Sequence, residues 1–309
     1  MAYYIRQVTC IPTQTWKIDD AVAVRLGITN PEHGHGSYFK ANPGETVLDT
    51  MKRQVPAWFE PAGSEPFQKI ILAPGQFYPR IARPILAFEP SPPCLPIMSR
   101  SDTIFVAISR GQLTALMRQL DLICQTVHPS EDTFNAFGHS IRNLLILACT
   151  EVETHWRGIL AANKFKKEQY STNHYVLLQG AMRLGDYAIE FPSFPWLAPV
   201  RPFEGWGTSG KPSQELGWYA AYNAVKHDRE NKFSRATLRN VFEAVSASVI
   251  MMVAQFGSIV GLGHNTELES FFHLSSSPVW PLSHFYLPSF GETTAEPLEV
   301  NYSFDAPPP

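Results

Sequence analysis

Apolar residues recur along this chain with a helical repeat. Within 102–127, Leu113, Leu116, Leu120 and Ile123 fall at three- and four-residue steps, the mark of a helix with one buried stripe. Phe134, Phe137, Ile141, Leu145, Ala148, Val152, Trp156 and Ile159 continue the rhythm. They predict one long helix starting at Pro129-Ser130-Glu131-Asp132, a serine cap followed by acids, and ending near Lys164. At 1.5 Å per residue it would span about 50 Å, with Gly138 and Gly158 as places where it bends or frays. A shorter helix is expected after Ser171-Thr172, another over 214–230, and a last one from Ser234 to Gln255 or beyond, with Gly257 as its stop. The apolar run 244–262 reaches only the lower edge of a membrane span and carries Ser246, Ser248, Gln255 and Ser258, so it reads as a buried core helix.

Proline marks the rest of the architecture. Only Pro129 interrupts 101–190 and none falls in 214–277, whereas the first hundred residues, 191–213 and the end of the chain are rich in it. Because proline breaks helix interiors, the helices belong to the two proline-poor stretches. The expected organisation is a Pro-rich β/irregular region over 1–100, a helical bundle over 101–260 with a hairpin or loop insertion at 187–213, and an extended tail over 261–309. Short extended runs at 67–72 and 85–88, bounded by Gly and Pro, read as strands of a small irregular sheet.

Composition narrows the classes. The 309 residues are 44% hydrophobic and 17% charged, with a net charge of −3. There is material for a core, and there is no overall positive coat for indiscriminate nucleic-acid binding. Cys10, Cys94, Cys124 and Cys149 form no C-x-x-C pair and read as reduced thiols in a cytoplasmic protein. The N-terminus lacks a charged start followed by an apolar run, so no signal peptide is expected. His33 and His35, on a Gly-rich turn, are too few for a metal site.

The segment with chemistry is Trp218-Tyr219-Ala220-Ala221-Tyr222-Asn223-Ala224-Val225-Lys226-His227-Asp228-Arg229. On a helix, Trp218, Ala221, Tyr222 and Val225 share one face and pack inward, while Tyr219, Asn223, Lys226, His227 and Glu230 share the other. Asn223 and His227 are one turn apart. An imidazole moves protons near neutral pH, an ammonium holds a phosphate, and an amide orients either. Lys232, Arg235 and Arg239 follow at spacings of three and four as a basic stripe, with Arg229 beside them. On the long helix, Glu151 and Glu153 flank the apolar stripe, placed to reach a neighbouring helix and support the histidine.

A late bundle helix carrying Tyr222-Asn223-Ala224-Val225-Lys226-His227 resembles the HEPN superfamily. Asn223 matches that family's polar motif position and His227 its histidine, and Tyr222 stands where the motif has Arg. The resemblance covers roughly 102–260. It implies a mainly-α, four- to five-helix HEPN-like bundle and a homodimer. It also implies a metal-independent ribonuclease, or a protein otherwise acting on RNA or nucleotides, in defence or stress response.

In that reading His227 is the general acid/base, Asn223 and Lys226 position phosphate, and Tyr219, Arg229, Lys232, Arg235 and Arg239 bind. Glu151 and Glu153 support them, and neither a metal nor a cofactor is required. The alternative is a non-catalytic interaction or scaffold module in which the same residues form a structural network and the basic stripe docks an acidic surface. A hydrolase using Glu151, Glu153 and histidines around a metal is weaker, because no ligand spacing supports it.

Overall fold

The computed structural model describes residues 2–8, 11–61, 64–86, 92–264, 266–289 and 298–304. It starts with strands β1 (Ala2–Val8), β2 (Ile11–Ile18), β3 (Val22–Arg25) and β4 (Tyr38–Lys40), then helix α1 (Val47–Gln54) and the two-residue strands β5 (Gln68–Lys69) and β6 (Gln76–Phe77). Long helices α2 (Arg100–Thr126) and α3 (His139–Ala162) follow, then short α4 (Thr172–Tyr175) and α5 (Leu177–Met182) and strand β7 (Ala188–Glu190). After them come α6 (Pro212–Glu215), α7 (Gly217–His227), α8 (Arg229–Lys232) and α9 (Leu238–Phe256). The chain ends with α10 (Ser258–Leu262), α11 (Glu267–Phe271), β8 (His273–Ser276) and β9 (Leu298–Glu299). The protein is mainly α.

The chain divides into two compact units. The first comprises Met1–Phe77, Arg83–Pro92 and Trp280–Val300. Its antiparallel sheet has the order β4-β3-β2-β1-β5. Trp16, Ile18, Ala23 and Phe39 pack with Val47 and Met51 of α1. Ile5 packs instead with Ile70, Leu86, Trp280, Phe285 and Leu287. The expected strand at 67–72 is only the pair Gln68–Lys69. At 85–88 the structure shows a bridge from Ile85 to Tyr286; 87 and 88 lie outside the described residues, as does Cys10.

The second unit comprises Tyr78–Ala82, Pro93–Val279 and Asn301–Pro309. Helix α9 is its centre, with every residue buried except Arg239, Asn240 and Glu243. A helix apolar on all sides needs neighbours on all sides, and α2, α3, α7 and α10 pack against it. The segment expected to be a core helix is therefore one, and among the described residues no helix is long and apolar enough to cross a membrane. α9 stops at Gly257 as expected, whose φ of 86° suits a residue without a side chain. Cys124 and Cys149 are buried thiols, and burial pushes Cys124 up to about 12 and Cys149 well above its ordinary value. Strand β7 pairs with β8, and Ile189 bridges to Val200 inside the proline-rich insertion.

Helix α3 does not start at Ser130. Thr133 Oγ1 accepts from the Ser130 N–H at 3.0 Å and donates to the His128 carbonyl at 2.5 Å, closing a local turn. The helix begins nine residues later, at His139, and its 24 residues span about 36 Å. The reason lies in α9. Its first N–H groups have no partners within the helix, and the Leu238 and Arg239 amides donate to the carbonyls of Ala136 and Phe134 at 2.9 and 3.1 Å. The turn through 134 and 135 presents those carbonyls, and Phe137 bridges to Thr237.

Candidate functional site

Helix α7 carries the site residues. Ala220, Ala221 and Ala224 favour the helix. It ends at Asp228, whose carboxylate accepts from the Asn231 N–H at 3.1 Å and so caps the next short helix, α8. Trp218, Ala221, Tyr222 and Val225 are buried, as their shared face requires. The Trp218 indole N–H donates to the Pro202 carbonyl at 2.9 Å.

Tyr219 is a correction. It was expected on the outer face and is buried, 5% exposed. Its hydroxyl donates to Glu153 Oε1 of α3 at 2.6 Å, and its ring packs on Trp156, Trp218 and Tyr222 at 5.4–5.6 Å. Burial, then the bond to the carboxylate, raises its hydroxyl far above the usual phenol range. Glu153 also faces Arg157 Nη2 at 3.4 Å.

The two glutamates flanking the α3 stripe have separate roles. Glu153 reaches α7. Glu151 faces the other way, bonded to Ser109 of α2 and 3.4 Å from His155 Nε2, and burial raises its pKa.

Lys226 is exposed, and its side chain folds back over Tyr222. Its Nζ donates to the Tyr222 hydroxyl at 2.9 Å and sits 5.0 Å from the ring centre. That bond, more than any other influence, holds its pKa above the ordinary lysine value. His227 is exposed and Asn223 half-buried, and neither side chain has a hydrogen-bond or ion-pair partner among the described residues. One helical turn separates them, putting their Cβ atoms about 5–6 Å apart. Lys226 and His227 also sit where the C-terminal end of the helix dipole favours positive charge.

The basic stripe does not lie on one helix. Lys232 ends α8, Arg235 ends a short 3-10 turn, and Arg239 is in the first turn of α9, after the Thr237 cap. Lys232 and Arg235 are exposed and have no ion-pair partner among the described residues. Arg239 bonds to Glu131 at 2.5 Å and lies 4.6 Å over the Phe134 ring. That ion pair offsets its unfavourable place at a helix start. The Arg229 side chain lies outside the described residues. His33 and His35 are exposed, and among the described residues no group of three or more His, Cys, Asp or Glu is placed to hold a metal ion.

Sequence reasoning missed the Tyr222–Lys226 pair as a unit, although the i,i+4 spacing of an aromatic and a cation was a signal for it. It also missed Arg157, one turn after Glu153. Chemically, the outer face of α7 offers a proton-transfer group, an amide and an ammonium anchored on a phenol. No family model, curated protein or solved structure matches the chain.

The bond between Tyr219 and Glu153 predicts a stability effect. Tyr219→Phe removes the donor and leaves a nearly buried carboxylate with only its longer contact to Arg157. We expect a loss of about 1–3 kcal/mol in urea unfolding. A loss too small to measure would mean that α7 is held to α3 by ring packing alone.

Proposed function

We propose that the protein is a HEPN-like, four- to five-helix module of the cytoplasm that acts on RNA or nucleotides as a metal-independent ribonuclease in defence or stress response. One observation carries this reading. Tyr222 stands where the family motif has Arg, and Lys226 brings its ammonium onto the Tyr222 hydroxyl at 2.9 Å, so the position keeps a cation. Beside it, Asn223 and His227 are engaged by no other described residue.

In the proposed step the RNA 2′-hydroxyl attacks the neighbouring phosphorus, losing its proton to water, and the bond to the 5′-oxygen breaks. His227 gives its proton to that leaving oxygen, and Asn223 and Lys226 hold the phosphate. Lys232 and Arg235 bind flanking phosphates. A second copy completes the site in a homodimer.

The test is cleavage of structured and single-stranded RNAs in chelator by wild type, His227→Ala and Lys226→Gln. His227→Ala should reduce the rate about 100- to 10,000-fold, the usual worth of a general acid or base. Equal cleavage by wild type and His227→Ala removes His227 from the mechanism.

The buried Glu153–Tyr219 bond favours a second reading. In it the network only fixes α7, and the exposed cations dock an acidic partner. Absence of cleavage on every RNA, with binding to an acidic protein lost in Lys232→Glu and Arg235→Glu, would establish that reading instead.

A further inference from the structure

A second site is lined by none of the α7 residues. The C-terminal half of α2 and the start of α3 enclose an open cavity of about 600 Å³, within the size range of small-molecule sites. Its walls expose Leu122, Phe137 and Leu147 by 62%, 53% and 41%. Three large apolar side chains gathered at one opening mark a binding surface rather than scattered exposure.

The polar lining carries no negative charge. Gln119, Thr126, His139, Ser140 and Asn143 can all donate hydrogen bonds, and no carboxylate lines the cavity. Asn143 Oδ1 already accepts from Arg142 Nη1 at 3.2 Å, which leaves the Asn143 amide N–H groups as donors and places a cation beside them. His139 touches Phe233 with its ring, at 5.0 Å, and has no hydrogen-bond partner among the described residues.

We propose that this cavity binds a small amphipathic acid, with its carboxylate on the Asn143–His139 edge and its hydrocarbon chain along Leu122, Phe137 and Leu147. Charge complementarity selects the head: an acid-free edge with donors, backed by the Arg142 guanidinium, attracts an anion, while an ammonium finds only neutral acceptors beside a like charge. The walls select the tail. Their apolar side chains are aliphatic apart from Phe137, and the one other ring among the lining residues, the His139 imidazole, faces the head. An alkyl chain gains from aliphatic burial; a base wants aromatic faces.

The test is calorimetric titration of the full chain with decanoate, decanol, decylamine and AMP, below the decanoate micelle concentration. Decanoate should bind at one site per chain, and decanol about tenfold or more weaker, since charge-assisted hydrogen bonds to the head are lost. Decylamine and AMP should not compete. Asn143→Asp, which keeps the acceptor for Arg142 and adds a negative charge, should weaken decanoate about tenfold or more and leave decanol unchanged. Leu122→Asp should weaken both. Both positions are exposed, so both variants should retain the wild-type melting curve.

Equal binding of decanoate and decanol, indifference to Asn143→Asp, displacement by AMP, or no saturable binding would each overturn the proposal. None of these outcomes bears on His227, so the two sites stand or fall separately.

Discussion

Replacing Trp156 by alanine lowers the unfolding free energy by about 3–5 kcal/mol, the cost of emptying a large aromatic from a closed core. Trp156 is fully buried at the point where α3 meets α7 and the insertion. It stacks on Trp206 at 5.0 Å, packs on Tyr175 at 5.0 Å and Tyr219 at 5.4 Å, and lies within 6.4 Å of Trp218 and Phe203. Its indole N–H has no acceptor among the described residues, so Trp156→Phe gives up volume but no hydrogen bond and should cost clearly less. Urea unfolding of the three proteins measures both. Because Tyr219 rests on Trp156, the alanine variant should also loosen α7, with faster amide exchange at Asn223 through His227. A stability loss below about 1 kcal/mol would mean that the neighbouring rings collapse into the space.

Acidification should destabilise the protein through His155. This side chain is fully buried. Its Nδ1 lies 2.9 Å from Gln255 Nε2, which also donates to the Met251 carbonyl at 2.6 Å. Nδ1 is therefore an acceptor, and the proton is on Nε2, pointing at Glu151 3.4 Å away. The imidazole is neutral in the fold. Burial first, and the Arg80 cation second, lower its pKa to about 3. Arg80 is itself buried, 3.9 Å over the Phe105 ring, and its guanidinium fits only because residue 158 is glycine.

Below pH 6.5 the unfolded chain protonates this histidine and the native state does not. Stability from this group is thus complete above pH 6.5 and falls as the pH drops toward 3. Each pH unit costs about 1.4 kcal/mol, so about 2 kcal/mol is lost by pH 5. Glu151 and Glu243 act in the opposite direction, because burial raises both: the native state takes up their protons first. The comparison that isolates His155 is the pH dependence of unfolding in wild type and His155→Asn, whose amide oxygen can still accept from Gln255. Wild type should lose stability between pH 6.5 and 5 and the variant should not. Parallel curves would show that His155 becomes charged inside the fold.

The inward faces were legible because a helical face is a property of spacing. Trp218, Ala221, Tyr222 and Val225 repeat at helical intervals, and they are buried. The central helix was legible for the same reason, as was its stop at Gly257. A small sheet was legible in the N-terminal region but its strands β1–β4 were not, although Tyr3-Tyr4-Ile5 and Thr15-Trp16-Lys17-Ile18 are rich in strand-forming residues. The prolines spread through that region are signals of irregular chain and mask the strands between them. The false start at Ser130 has a different origin. Its capping chemistry is genuine, but a cap signal is also a turn signal, and the amides of a helix a hundred residues later decided between them.

The same division runs through the site. Local order along the chain determined a mainly-α protein, the buried face of each main helix, and an amide, an ammonium and an imidazole within two turns of α7. Those properties depend on intervals of three and four residues, which need no knowledge of what lies opposite. Only the tertiary structure decided that Tyr219 turns inward to Glu153, 66 residues away, that Glu151 turns to α2, and that Arg239 is taken by Glu131, 108 residues away. A polar end group at the edge of a stripe is bonded by whichever partner folding brings there, and desolvation makes that choice binding.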